Sequence, residues 1–417
     1  MKRGCWIAVL VTVIVIVTGM VFISIHITKS ILSFKEFMQG SPEYGTMQCE
    51  QVEITCTSYT LLTQGCMVVR DDELLLSVAM DGMYLGIAPV ANVCQANKWR
   101  FVPVDTSSHS LILSWMTCTD GIPAICYMNR DDKTHWYAQA TKRDPGSIDD
   151  WIVYNLGFQD TPSYVWGLLA IEGKPVLVYT GKDNKLAYYA QALVPHPTTT
   201  EDWRIHRVSE NYVVHGDLSV AVVAGKPMIC FNNHDHGLMF AYAEASEPTA
   251  STDWHITKLP KETSDGYQVV LAEIDQKPAL LYHLSKPDRI GYAWAASSEP
   301  TGPEDWNPLV LLDWGEASFH YSLIEYDSKP LVAYSSGEMA ILMQASSAQP
   351  QSRKDWILGE MNDDEFVVVF SDIVVKIYQE RPVVICSDYI DNRLWLFDIN
   401  QIPHMLTPSE MLHDLRH

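Results

Sequence analysis

Apolar and polar positions alternate along most of this chain in short runs separated by turn residues, and the runs recur as one unit. The stretch from Leu218 to Leu259 shows it. Leu-Ser-Val-Ala-Val-Val leads to a Gly225-Lys226-Pro227 turn, Met-Ile-Cys-Phe, a polar Asn-Asn-His-Asp-His-Gly loop, Leu-Met-Phe-Ala-Tyr-Ala and, after a polar segment, Asp253-Trp254-His-Ile-Thr-Lys. Such runs bounded by Gly, Pro, Asn and Asp predict four short strands. Proline fixes one dihedral and glycine tolerates unusual ones, so the first connection is tight. Helical spacing of apolar residues is missing from the unit, which excludes HEAT, ankyrin and tetratricopeptide arrays.

Two ladders give the period. Trp99, Trp151, Trp203, Trp254, Trp306 and Trp356 are separated by 52, 52, 51, 52 and 50 residues, and all but Trp99 follow an aspartate: Asp150, Asp202, Asp253, Asp305 and Asp355. Pro123, Pro175, Pro227, Pro278, Pro330 and Pro382 are spaced 52, 52, 51, 52 and 52. A four-stranded unit repeated at this interval is a propeller blade. The prolines count six blades, and 52 residues before Pro123 lies Asp71, inside the strand-like run Met67 to Ser77. The expectation is therefore an all-β, seven-bladed β-propeller of four-stranded blades. Its last unit, from Phe366 through Pro382 to Asn400, supplies three strands, and Gln48 to Thr57 supplies the fourth, which pairs both chain ends and removes exposed edges. The alternative is six blades with an irregular cap over residues 48–103. Recurrence in every blade is what a structural role predicts, so each tryptophan is read as interblade packing and its aspartate as a turn cap. Tyr127, Tyr179, Tyr282, Tyr334 and Phe231, which end the second strands, are read as packing too.

Between Lys2-Arg3 and Lys29 there is no Asp, Glu, Lys or Arg, and this run is long enough to cross a bilayer. A signal peptide would have a shorter apolar region and a small-residue cleavage site. The expected organisation is an N-terminal transmembrane helix as membrane anchor at residues 1–28, a juxtamembrane linker at 29–47, the propeller at 48–400 and a C-terminal tail at 401–417. Lys2 and Arg3 place the N-terminus in the cytoplasm, giving a single-pass membrane protein with a periplasmic or extracellular propeller. The 417 residues are 47% apolar, enough for a large core, and 29 basic against 51 acidic residues leave a net charge of -22. That charge repels a phosphate backbone, so nucleic acid is not an expected partner. Of nine cysteines, none forms a C-x-x-C pair. Cys126 and Cys230 read as buried small hydrophobes, Cys5 lies beside the anchor, and Cys49, Cys56, Cys66, Cys94 and Cys118 are where an exported domain would place one or two disulfides.

The phrase Leu169-Ala-Ile-Glu-Gly-Lys-Pro-Val-Leu-Val-Tyr179, followed by Leu186-Ala-Tyr-Tyr-Ala190 and Asp202-Trp203, resembles the blade repeat of bacterial and archaeal surface β-propeller proteins. The resemblance covers roughly residues 60 to 400; it implies the fold and says almost nothing of an activity. A more distant likeness joins the turn Ser298-Glu-Pro-Thr-Gly-Pro-Glu-Asp-Trp306 to the Asp-box of sialidase-type propellers, but spacing and residue order differ, so sialidase activity is not carried over.

Propellers bind ligands along the central channel, at the face carrying the loops between second and third strands. Those loops place Asp131, Asp183, Asp235, Asp288 and Asp391 near one rim, together with His234 and His236. These seven are the candidate ligand-binding residues. No cofactor is expected, although an oxygen-rich rim is the kind of site that holds calcium, and two histidines with an aspartate the kind that holds zinc. Glycoside hydrolysis needs two carboxylates facing each other across a pocket, and no motif marks such a pair. G-x-S-x-G, H-E-x-x-H and G-x-x-x-x-G-K-[ST] are absent. The reading is a non-enzymatic binding or scaffold module for a glycan or protein ligand, held to the membrane by its helix. The alternatives are a carbohydrate-active enzyme and an envelope assembly factor.

Overall fold

The computed structural model describes residues 43–44, 46–55, 62–63, 65–158, 160–263, 266–285, 288–312, 321–336, 339–361, 370–388 and 393–404. The expected anchor at residues 1–28 lies outside them; among the described residues no helix is long and apolar enough to cross a membrane. They form seven antiparallel sheets following one another along the chain, each with four strands of one blade. The fourth blade has the strands foreseen, Leu218–Val223, Lys226–Asn233, Gly237–Ala243 and Trp254–Lys258, ordered from the inside outwards. The innermost strands of the blades, in order, are Met67–Arg70, Leu111–Thr119, Pro162–Ile171, Leu218–Val223, Gly266–Ile274, Tyr321–Tyr326 and Phe370–Tyr378. Each packs beside the next and the last beside the first, which closes the ring.

Closure uses the N-terminal segment. Thr46–Thr55 pairs antiparallel with Arg393–His404 as the outer strand of the seventh blade, with Val52 opposite Leu396. Glu43 and Tyr44 pair in parallel with Ile357 and Leu358 of the sixth. Pairing thus extends beyond the expected 48–400 at both ends, because the closing strand continues along its partner as far as the Thr46–His404 pair.

The tryptophan ladder explains why the blades stack. Trp151, Trp203, Trp254, Trp306 and Trp356 open the fourth strands of successive blades, each opposite a third-strand alanine: Ala140, Ala192, Ala243, Ala295 and Ala345. The small residue leaves room for the indole to lean onto the preceding blade. There, Trp203, Trp254, Trp306 and Trp356 meet Tyr137, Tyr189, Phe240 and Tyr292 edge-on, with ring centroids 5.3, 5.4, 5.0 and 5.2 Å apart. Edge-to-face contact is a favoured geometry for aromatic quadrupoles. Seven apolar clusters result, each shared by two adjacent blades, including one between the seventh and the first.

The aspartate before each tryptophan closes the turn. Asp202 Oδ2 accepts the N–H groups of Thr198 and Thr199 at 2.7 and 3.1 Å, and Asp150, Asp253, Asp305 and Asp355 repeat the pattern. Tyr127, Tyr179, Phe231, Tyr282 and Tyr334 are buried, as are Cys126 and Cys230. One expectation is corrected. Cys66, in the bend just before Met67–Arg70, and Cys118, on Leu111–Thr119, carry free thiols because both are enclosed between blades, where burial pushes their pKa values up to about 12 and about 11. Cys56 lies outside the described residues, as does the side chain of Cys49.

Two histidines are held neutral in this core. His135 is buried and its pKa is lowered to about 4 by desolvation; His206 is lowered to about 4 by the same cause, and its Nε2 accepts the Trp254 indole N–H at 3.1 Å.

Trp203→Ala should destabilise the protein by about 3 kcal/mol or more, read from denaturant unfolding, because it empties an interblade contact. A loss near zero would mean that the ladder is not core. The histidines set an acid limit. Their folded pKa values lie below the unfolded one, so the stability they confer is present above about pH 6.5 and lost as pH falls towards about 4. The melting temperature should therefore decline across that window, and His135→Gln should flatten the decline.

Candidate functional site

An inner strand presents its free edge to the axis of the ring, and its unpaired N–H groups need acceptors. Side chains of this protein supply several. Asp217 Oδ2 accepts the Gln268 N–H at 2.8 Å, Ser219 Oγ the Leu271 N–H at 2.9 Å and Ser322 Oγ the Val375 N–H at 3.3 Å. Asp372 Oδ2 accepts the Leu62 N–H at 3.2 Å and the Ser387 hydroxyl at 2.9 Å. The Asp217, Ser219 and Ser322 bonds stitch neighbouring blades, the Ser387 bond holds Asp372 within its own blade, and together they bring polar side chains to the channel.

Two cavities of about 360 Å³ each lie along the axis. The upper one opens on the face of the second-to-third-strand loops and is walled by Trp115, Tyr164, Trp166 and Tyr321 with Asp217, Gln268 and Asp372. The lower one is lined from every blade, and the two share Trp115, Trp166, Ser219 and Val270.

Irregular backbone produces the upper wall. Strand register shifts between Ile112 and Trp115, between Pro162 and Tyr164, between Val165 and Gly167, between Tyr267 and Val270, and between Phe370 and Asp372. A bulge adds a residue on one strand and re-aims side chains. Leu113 and Gln268 take left-handed dihedrals at φ 52° and 49°, strain of the kind that collects at functional sites. Gly65 has to be glycine, since a Cβ there would lie 2.3 Å from the Trp115 ring. Trp166 is fixed by its indole N–H donating to Thr180 Oγ1 at 3.3 Å and by Tyr164, whose ring centroid is 4.2 Å away.

The electrostatics follow from burial. Desolvation raises the Asp217 carboxyl above its ordinary value, opposed by the Gln268 N–H. Tyr164 is pushed up to about 12, first by burial and then by the charges of Asp217 and Asp372, so both carboxylates act on one phenol. The mouth thus pairs aromatic faces with hydrogen-bond acceptors, a combination suited to sugar rings with hydroxyl groups.

Of the seven residues named from sequence, the five whose side chains are described line neither of these two cavities. Asp131, Asp183 and Asp235 are exposed on loops of three different blades, and His234 and His236 flank Asp235 in the tight turn from Asn233 to Gly237. His234 Nδ1 lies 3.1 Å from Asp235 Oδ1, and the His234 and His236 rings lean against His215 and Tyr212. The loops are ordered by their own asparagines: Asn129, Asn184 and Asn233 accept the backbone N–H two residues on. Asp288 opens the strand Asp288–Ala295 with its side chain outside the described residues, and Asp391 lies outside them. Among the described residues no group of three or more His, Cys, Asp or Glu side chains is placed to hold a metal ion. The channel residues had a sequence signal that the loop reading passed over. Asp217, Gln268 and Asp372 each stand ten residues before a ladder proline, at Pro227, Pro278 and Pro382.

The architecture defines a seven-bladed β-propeller with a polar, aromatic channel mouth. No protein-family model matches the chain, and no curated protein matches it. Solved structures do. An ulvan lyase of polysaccharide lyase family PL25, bound to -[GlcA(1-4)Rha3S]-, is 9% identical with a TM-score of 0.50, over 90% of this chain and 98% of that one. The WD40 domain of Toxoplasma gondii coronin is 10% identical with a TM-score of 0.48, over 89% and 92%. A Trypanosoma rangeli sialidase mutant displaying trans-sialidase activity is 8% identical with a TM-score of 0.43, over 86% and 59%. At these identities the likeness is one of fold, and it carries no chemistry across.

Proposed function

We propose that this protein is a membrane-tethered, extracytoplasmic propeller that binds a glycan in the mouth of its central channel without turning it over. The observation that carries the reading is the aromatic wall of Trp115, Tyr164 and Trp166, all part-exposed, beside the acceptors Asp217 and Asp372 in one cavity. Aromatic faces stack on the apolar faces of sugars, while fixed acceptors select the orientation of the hydroxyls. In this reading Asp131, Asp183, His234, Asp235, His236, Asp288 and Asp391, the residues named from the sequence, meet parts of a longer ligand that reach beyond the mouth. The tether is residues 1–28, supported by the largely apolar stretch behind Lys2 and Arg3 that carries no Asp, Glu, Lys or Arg before Lys29.

A second reading rests on one observation. Two carboxylates line the same cavity, and burial raises one of them, Asp217, above its ordinary value, the direction a general acid needs. Binding is preferred because both carboxylates already accept backbone N–H bonds that join blades, and Asp372 also accepts the Ser387 hydroxyl.

The full chain in detergent, applied to a glycan array and to chromogenic glycosides, separates the two. Binding without turnover is expected, and Trp166→Ala should weaken it about tenfold, or about 1.4 kcal/mol. Turnover that disappears in Asp217→Asn would replace the binding reading with the hydrolytic one. No glycan bound in either assay would sink both.

A further inference from the structure

The lower cavity holds one side chain that the ring's own symmetry does not predict. Six residues before each ladder proline, the inner strands carry Thr117, Leu169, Ala221, Ala272 and Ile324, and then Lys376 in the seventh blade. Of the described residues lining this cavity, Lys376 alone is charged. The others present apolar side chains, a few hydroxyls and backbone. No hydrogen bond or ion pair to Lys376 occurs among the described residues, whereas Asp217 and Asp372 in the upper cavity are already engaged. An ammonium in such surroundings is short of a counter-charge. Burial accordingly lowers the Lys376 pKa, and the only opposing influence is the Cys66 thiol.

We propose that Lys376 is the anion-recognising residue of the channel and that the ligand is a sugar acid. Its carboxylate enters first to meet Lys376, while its ring lies between Trp115 and Trp166, which border both cavities. The polarity of the channel fixes this direction. Acceptors at the mouth suit the hydroxyl donors of the trailing part, and the lone cation below suits the acid group. The inference rests on the glycan reading above and narrows it.

Isothermal titration of the full chain in detergent tests it with glucuronate and glucose, which differ at one carbon, and with inorganic sulfate and phosphate as bare anions. Glucuronate is expected to bind at least tenfold more tightly than glucose. Lys376→Met, which keeps the length of the side chain, should abolish that preference, and Lys376→Arg should retain most of it, with thermal unfolding confirming that both variants fold. Equal affinity for the two sugars, or a preference that survives Lys376→Met, overturns the assignment. Sulfate or phosphate binding as tightly as glucuronate would overturn the sugar-acid class and leave a simple anion site. If both sugars bind equally and Trp166→Ala weakens both, the glycan reading stands while the Lys376 assignment falls; if neither binds, both fall.

Discussion

The edge-on contact between the tryptophan of one blade and the third-strand ring of the blade before it is the interaction on which the architecture depends. A single four-stranded sheet of this size cannot bury both faces. The indole does so by crossing the gap, and it can cross because an alanine stands opposite it in its own sheet. The same few residues thus set the spacing of the blades, shield both faces and repeat at a constant interval. Where an aromatic partner is missing the joint is filled differently: Trp151 packs in a cluster that includes Leu85, and the joint between the sixth and seventh blades uses Trp395 and Phe397.

Stacking sheets around an axis buries their faces and leaves their inner edges. Seven inner strands therefore converge on a channel with backbone donors to satisfy, and the protein meets that demand with Asp217, Ser219, Ser322 and Asp372. The structural requirement and the proposed binding surface have one origin. Side chains recruited to hold the edges together also make the mouth polar, and the bulges that re-aim Trp115, Tyr164 and Gln268 give it aromatic walls. Lys376 differs from them, since among the described residues it satisfies no backbone group, and it stands where five other blades carry Thr, Leu, Ala, Ala and Ile.

The site was less legible than the fold, for a physical reason. Loops rich in Asp and His attract attention as ligands, yet Asp131, Asp183 and Asp235 extend from separate blades, and much of their loops' hydrogen bonding is local to each turn. Asp217, Gln268 and Asp372 share one register before the ladder prolines. That register can be read from the chain, but its convergence on one cavity follows only from ring closure and from bulges that leave no mark in a periodic pattern. The free thiols of Cys66 and Cys118 have the same explanation: composition made them candidates for pairing, and the interfaces that enclose them became visible only with the blades in place.

The sequence by itself determined the four-stranded unit, its period and the structural work of the Asp-Trp pairs, and it narrowed the ring to seven blades closed by the N-terminal strand or six with a cap. Those features depend on local periodicity and on contacts repeated at a fixed separation, both of which are written along the chain. Tertiary structure decided which side chains meet at the axis, how the carboxylates divide between stitching and display, and that one lysine is the charged group among the described residues lining the lower cavity. These depend on residues from up to seven blades converging on one channel, and no linear spacing reports that convergence.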